Sequence, residues 1–390
     1  MNRKLVYLLF ALLIGFASKA QNDDNFKITH GPYLQALSDS SATIVWTTNK
    51  TAIAWVEIAP VDSTHFYYKE RPKFFASKDG FKTEEKVHRV RLTHLKPNTR
   101  YRYRIYSQEV LSHEWVKVRY GETVATNVFS QKPLEFKTFN PRQKTTSFAI
   151  VNDIHERGEV LQNLFQQLDI PSLDFMVFNG DMVTSFMSED QIFKEYMDLS
   201  VEKFAKEKPF YYARGNHETR GPFAPQFSNY FPSPNGKLYY FVRHGETALI
   251  FLDTGEDKPD SDIEYSGITD MDAYRSEQAE WLKEVVKAPA YKNAKYKVVI
   301  GHMPPFGGWH GEQEVLQKFV PVLNGAGAQI MLAAHFHRHM IQDGDEKIHF
   351  PVIVNSNSNL IQADINSERA LFKVIDQKGK IVDQLKIEAE

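Results

Sequence analysis

Residues 147–155 read Ser147-Phe148-Ala149-Ile150-Val151-Asn152-Asp153-Ile154-His155, an apolar run of strand length followed by an aspartate and, two positions on, a histidine. Similar apolar segments recur at 174–179, 209–213, 248–252, 296–300, 330–333 and 352–355. Helical stretches are predicted between several of them, at 158–168, 190–205, 276–286 and 312–323. Strands alternating with helices make an α/β layered domain over 145–390. The segment 371–387, around the turn Gln377-Lys378-Gly379-Lys380, reads as a closing hairpin.

Upstream the character differs. From 26 to 140 the chain offers short alternating segments at 42–47, 52–58, 87–92, 100–107, 115–120 and 134–138, rich in Val, Ile, Thr and aromatic residues. Evenly spaced strands without a convincing helix predict an antiparallel sandwich. Within it, Leu95-Lys96-Pro97-Asn98-Thr99-Arg100-Tyr101 resembles the L-x-P-x-T-x-Y segment of fibronectin type III domains, where the tyrosine hydroxyl ties the start of a strand to nearby backbone. Asn140-Pro141-Arg142-Gln143-Lys144 is the expected linker between the two parts. The first twenty residues stand apart: Arg3 and Lys4 precede an apolar run from Leu5 to Phe16 and then Ser18-Lys19-Ala20, the pattern of a secretory signal peptide cut after Ala20. The run is too short for a membrane span, which needs about 20 apolar residues.

Composition narrows the function. Lys and Arg total 47 against 49 Asp plus Glu, which argues against coating nucleic acid or binding acidic membranes through a basic excess. The chain has no cysteine, so thiolate metal sites and cysteine nucleophiles are excluded, and any metal must be held by His, Asp, Asn or Glu.

Residues of that kind follow the predicted strands. Asp153 and His155 lie past the first, Gly180-Asp181 past the second, Gly215-Asn216-His217-Glu218 past the third, Gly301-His302 past the fifth and His335-Phe336-His337 past the sixth. In an open α/β sheet, ligands bind beyond the carboxyl ends of strands, so five turns can converge on one crevice.

The order D-x-H, GD, GNHE, GH, H-x-H resembles the signature of the calcineurin-like metallophosphoesterases, and the preceding sandwich resembles the N-terminal domain of purple acid phosphatases. The resemblance implies a dinuclear site. Asp153, His155, Asp181 and His337 would hold one divalent ion and Asp181, Asn216, His302 and His335 the other, with Asp181 as the bridge. It further implies attack on phosphorus by a metal-bridging hydroxide, with His217 either protonating the leaving alkoxide or steadying the phosphoryl oxygens, and Glu218 orienting His217. Arg214, beside the same motif, is a candidate for the substrate-proximal region or a surface salt bridge. Trp309 and His310, on the loop after His302, are candidate substrate contacts.

The sequence departs from these relatives at three places. Purple acid phosphatases carry an iron-binding tyrosine where Thr184 stands, and tend to lack the histidine present here as His155. The first metal position therefore resembles the general metallophosphoesterase type, expected to take Mn, Zn or ferrous Fe. Ala334 replaces a glycine before H-x-H. Residues 182–186 offer none of the phosphate-binding arginine of serine/threonine protein phosphatases, which disfavours phosphoprotein substrates.

The expectation is an exported, periplasmic or secreted phosphatase acting on small phosphate monoesters, with no nucleic-acid role, no membrane span and no protein partner inferred. The alternatives are a phosphodiesterase acting on nucleotides or lipid head groups, or a non-catalytic surface binding protein on the same scaffold.

Overall fold

The structure is a computed structural model and describes residues 25–389. The predicted leader lies outside the described residues. Among those described, no helix is long and apolar enough to cross a membrane.

The N-terminal part is a seven-stranded β structure built around one long strand, Ala42–Pro60. Its first half pairs with Ile28–Gln35 and Glu85–Leu92, and its second half with Arg100–Glu114, with the register broken between Thr47 and Ala52. The sequence suggests two strands here because Asn49 and Lys50 interrupt the apolar alternation; the backbone instead continues through them from one set of partners to the other. Trp46, Val56, Tyr103, Ile105 and Phe136 fill this core. The Lys96 N–H donates to Tyr101 Oη at 2.8 Å, which is the tyrosine tie expected from the motif.

Beyond the linker lie two six-stranded sheets. In the first, Thr146–Val151, Phe175–Asn179 and Phe210–Ala213 run parallel. Asn359–Ile365, Arg369–Asp376 and Ile381–Glu388 complete it in antiparallel fashion, the last two forming the predicted hairpin. In the second, Thr247–Leu252, Tyr296–Gly301, Ile330–Ala333 and Val352–Val354 run parallel.

These sheets pack face to face rather than forming one open sheet. Phe148, Ile150, Phe175 and Val177 of the first meet Leu249, Phe251, Val298 and Ile300 of the second in one buried cluster. The outer face of the first sheet is covered by helix Gly158–Gln166 and the helical run 189–205, and that of the second by Met271–Val285 and the run 310–325. Burial on both faces explains why the strands read as near-continuous apolar runs. The sandwich rests on the first sheet's helical layer: Tyr33 packs in its core, and Tyr103 Oη donates to Lys206 O at 2.5 Å.

Candidate metal centre

Parallel strands deliver their carboxyl ends to one edge of the stacked sheets, and the chain turns sharply there. Asp153, His155, Asp181, His335 and His337 all have positive φ, between 46° and 75°. Left-handed conformations are uncommon for non-glycine residues and persist only when their surroundings fix them. Hydrogen bonds tie four of the five: Asp153 N–H to Gly180 O at 2.9 Å, His155 N–H to Asp181 O at 3.0 Å, and His335 N–H to Asp153 Oδ2 at 3.2 Å, with the neighbouring Ala334 N–H bonded to His302 O at 2.8 Å. Ala334 itself is not among the left-handed residues, so its methyl group carries no backbone strain. Gly180 is different, with φ of 81°, and a Cβ on it would sit 2.5 Å from His302 Nδ1 and 2.6 Å from Gly215 Cα. Glycine there lets the turns of both sheets approach.

Two groups of side chains result, sharing Asp181. In the first, ligand atoms of Asp153, His155, Asp181 and His337 lie within 4.8 Å of one another. The Nε2 atoms of His155 and His337 are 3.1 Å apart, and His337 Nε2 is 3.3 Å from Asp153 Oδ1. In the second, Asp181, His302 and His335 meet the same limit, with His302 Nε2 3.0 Å from Asp181 Oδ2. The inner end of the Asn216 amide lies 3.2 Å from both His302 Nε2 and His335 Nδ1, and 3.3 Å from Asp181 Oδ2. With its oxygen at that end, Asn216 completes a ring of lone pairs.

Electrostatics shows that these residues suit cations. Asp153 Oδ1 is buried and has no hydrogen-bond partner. Burial works against charge on His302, but the Asp181 and Asp153 carboxylates outweigh it and push its pKa up to about 10, so the buried carboxylates favour positive charge at this point. Burial likewise opposes charge on Asp181, yet His302, His217 and His155 hold its carboxyl below the usual range. His155 and His335 are pushed down to about 4, chiefly by burial, so their ring lone pairs are free at neutral pH. His302 Nδ1 lies 2.8 Å from Asn179 O, which takes its N–H and leaves Nε2 to face the carboxylates. The donor set of carboxylate, imidazole and amide oxygen therefore fits two divalent ions.

Comparison with known proteins agrees with this geometry. Residues 146–339 match the family described as calcineurin-like phosphoesterase, and residues 31–123 match the purple acid phosphatase N-terminal domain. The chain carries a calcineurin-like phosphoesterase domain. It is 28% identical to purple acid phosphatase 3 of Arabidopsis thaliana over 219 residues, which are 50% of this chain and 58% of that relative. The chain thus spans less than two thirds of the curated relative it matches. In fold it is similar to a purple acid phosphatase from yellow lupin (Lupinus luteus) seeds, with a TM-score of 0.67 and 14% identity, covering 92% of this chain and 74% of the other.

Around the centre of this phosphoesterase, several residues stand where the sequence did not place them. The Glu218 carboxylate is committed to groups other than the His217 ring. It is fully buried and accepts hydrogen bonds from the N–H groups of Asp181 at 2.8 Å, Met182 at 2.7 Å and Gly215 at 2.9 Å, and from Tyr212 Oη at 2.9 Å. The turn His217–Thr219 directs it inward, away from the imidazole. The backbone of Thr184 orients His217 instead, its carbonyl 2.6 Å from Nδ1. His217 Nε2 is 3.4 Å from Arg220 Nη1 and 3.9 Å from Asp181 Oδ2.

Arg214 is neither at the surface nor free for substrate: it is buried and paired to Asp253 at 2.9 Å. His310 Nε2 lies 2.8 Å from Asp272 Oδ1, in a third group with Glu314 whose charge Arg275 and Lys318 already balance. Trp309 remains half exposed, with the Lys258 ammonium 5.9 Å from its ring.

Supporting residues with no motif of their own also appear. Asn152 Nδ2 donates to Asp153 Oδ2 at 2.7 Å, and Arg220 carries the Glu256 and Asp257 carboxylates at 3.0 and 3.1 Å. Only the adjacency of Asn152 to Asp153 was a usable signal; the others act across 30 or more residues of sequence.

Proposed function

We propose that this chain is an exported, metal-dependent phosphatase that hydrolyses small phosphate monoesters. The observation that carries the reading is the shared carboxylate Asp181 between two groups of ligand atoms, with His217 Nε2 at its open side. Asp153, His155, Asp181 and His337 would hold one divalent ion, and Asp181, Asn216, His302 and His335 the other, with Mn, Zn or ferrous Fe as candidates. When bound, such a pair supplies Lewis-acid neutralisation of phosphoryl charge and lowers the pKa of water.

The chain's own contribution is a proton and its placement. With Nδ1–H committed to the Thr184 carbonyl, His217 presents Nε2 to the centre. With the ring protonated on both nitrogens, the bond from water oxygen to phosphorus forms as the water gives up a proton to solvent, the ester P–O bond breaks, and the Nε2 proton passes to the leaving oxygen and leaves His217 neutral, help of the kind that contributes about 10²–10⁴ in rate. Arg220 Nη1 lies 3.4 Å from the same nitrogen, with its guanidinium paired to Glu256 and Asp257. Export is supported by the leader-like first twenty residues, and monoester preference by the purple acid phosphatase N-terminal domain.

The test is turnover of paired aryl monoesters and diesters by chelator-stripped protein reloaded with each cation in turn. Monoester hydrolysis restored by a divalent ion supports the proposal. Faster diester hydrolysis would favour a phosphodiesterase, and no turnover with any loaded cation would favour a binding protein.

A further inference from the structure

We propose that Glu312 is a positioning residue that fixes the tautomer of His335, and thereby sets cation affinity at the second position. This rests on the two-cation reading above. Glu312 is fully buried. Its Oε2 accepts the Trp309 N–H at 2.9 Å, while Oε1 is buried without a hydrogen-bond partner and lies 3.6 Å from His335 Nε2. That separation is ion-pair range, and about 0.7 Å of movement brings it to hydrogen-bond length. On the opposite side of the same ring, Nδ1 faces the Asn216 amide at 3.2 Å.

A neutral imidazole carries one N–H, and whichever nitrogen holds it cannot ligate a cation. A carboxylate at the Nε2 side draws the proton there and leaves the Nδ1 lone pair pointing at Asn216, His302 and Asp181. The loop is shaped around this acid: Gly307 has φ of 131°, and a side chain on it would collide with the Glu312 carboxylate.

Glu312→Gln tests the assignment by chemistry rather than by size. A glutamine has one acceptor and one donor end. If its oxygen takes the Trp309 N–H, its NH₂ faces His335 Nε2 and donates to it, which drives the ring proton onto Nδ1. If the amide turns over, NH₂ meets the Trp309 N–H donor to donor.

Chelator-stripped wild type and Glu312→Gln are titrated with Zn²⁺ and with Mn²⁺ by calorimetry. The expected result is two equivalents on wild type, and on the variant one equivalent of unchanged affinity and one weakened about 10–100-fold. Long-range ¹H–¹⁵N histidine spectra of stripped wild type, with His335 assigned by its loss in His335→Gln, should show Nε2 protonated and Nδ1 bare.

Equal affinity for both equivalents in the variant, equal weakening of both, or an Nδ1–H tautomer in wild type would each overturn the inference. The spectra decide even where the variant fails to fold. Wild type that takes up no cation at all would instead defeat the functional reading on which this inference stands.

Discussion

The Glu218 carboxylate accepts the backbone N–H of Asp181 at 2.8 Å and that of Gly215 at 2.9 Å, so one buried acid joins the turn carrying the shared ligand to the turn carrying Asn216 and His217. Burial and the nearby Asp181 raise its pKa, while the Asp181 N–H and Tyr212 hydroxyl work the other way. Glu218→Gln preserves shape but turns an NH₂ toward backbone donors. Hydrogen bonds to a buried charge are worth about 1.5–3 kcal/mol each, and an orphaned buried donor costs about 1–3. The variant should lose about 2–4 kcal/mol in urea unfolding and bind cations more weakly. A change below about 0.5 kcal/mol, the range of an ordinary surface substitution, would show that the tie is dispensable.

His217 makes a separable prediction, because its side chain reaches the centre without being a cation ligand in the proposed set. His217→Ala should retain the metal content of wild type while kcat on alkyl phosphates falls about 10²–10⁴-fold. Aryl phosphates with acidic phenol leaving groups need less protonation and should lose much less. Equal losses on both substrate classes would mean that His217 steadies phosphoryl oxygens and does not move a proton.

What the sequence revealed, and what it concealed, follows from range. Asp153, Asp181 and His302 each follow an apolar strand within two residues, so their convergence needs only the parallel-strand rule. The inward turn of Glu218 depends on the geometry of a single 3₁₀ turn, and nothing in G-N-H-E distinguishes a partner for His217 from a partner for Asp181. Arg214 looks like a polar residue beside a motif, and its burial depends on Asp253, which a linear reading does not connect to it. Glu312 reads as an ordinary early helix residue, since the remainder of the helical run 310–325 and the strand Ile330–Ala333 separate it in sequence from His335. The face-to-face packing of the sheets was hidden for a related reason: a strand apolar on both faces does not say whether helix or sheet covers each one.

Thr184 yields a spectroscopic expectation. By the resemblance drawn from the sequence it stands at the place of the iron-binding tyrosine of purple acid phosphatases, and its backbone carbonyl lies 2.6 Å from His217 Nδ1. Iron-loaded protein should therefore be colourless or weakly coloured, with no strong visible tyrosinate-to-iron band. Absorbance of the purified, iron-loaded chain checks this, and an intense visible band would require a tyrosine from elsewhere in the fold to reach the metal.

Stability toward acid should depend on His88 in the sandwich core. This residue is fully buried, with Nε2 2.8 Å from Thr48 Oγ1 and no partner for Nδ1. Thr48 already donates its hydroxyl proton to Lys50 O at 2.8 Å, so its oxygen accepts from His88 Nε2–H, and a proton added at Nδ1 would find no acceptor. Burial, aided by Arg89, pushes the pKa down to about 3 from 6.5. The unfolded chain therefore binds this proton through a pH range in which the folded chain does not. Folding stability should fall as pH drops below about 6.5, at up to about 1.4 kcal/mol per pH unit from this group, levelling off near the folded pKa. In His88→Gln that contribution vanishes, so the variant, although less stable at neutral pH, should lose stability more slowly on acidification. Urea midpoints for both proteins at several pH values on the acid side of neutrality give the slopes, and parallel curves would show that His88 is already charged in the folded core.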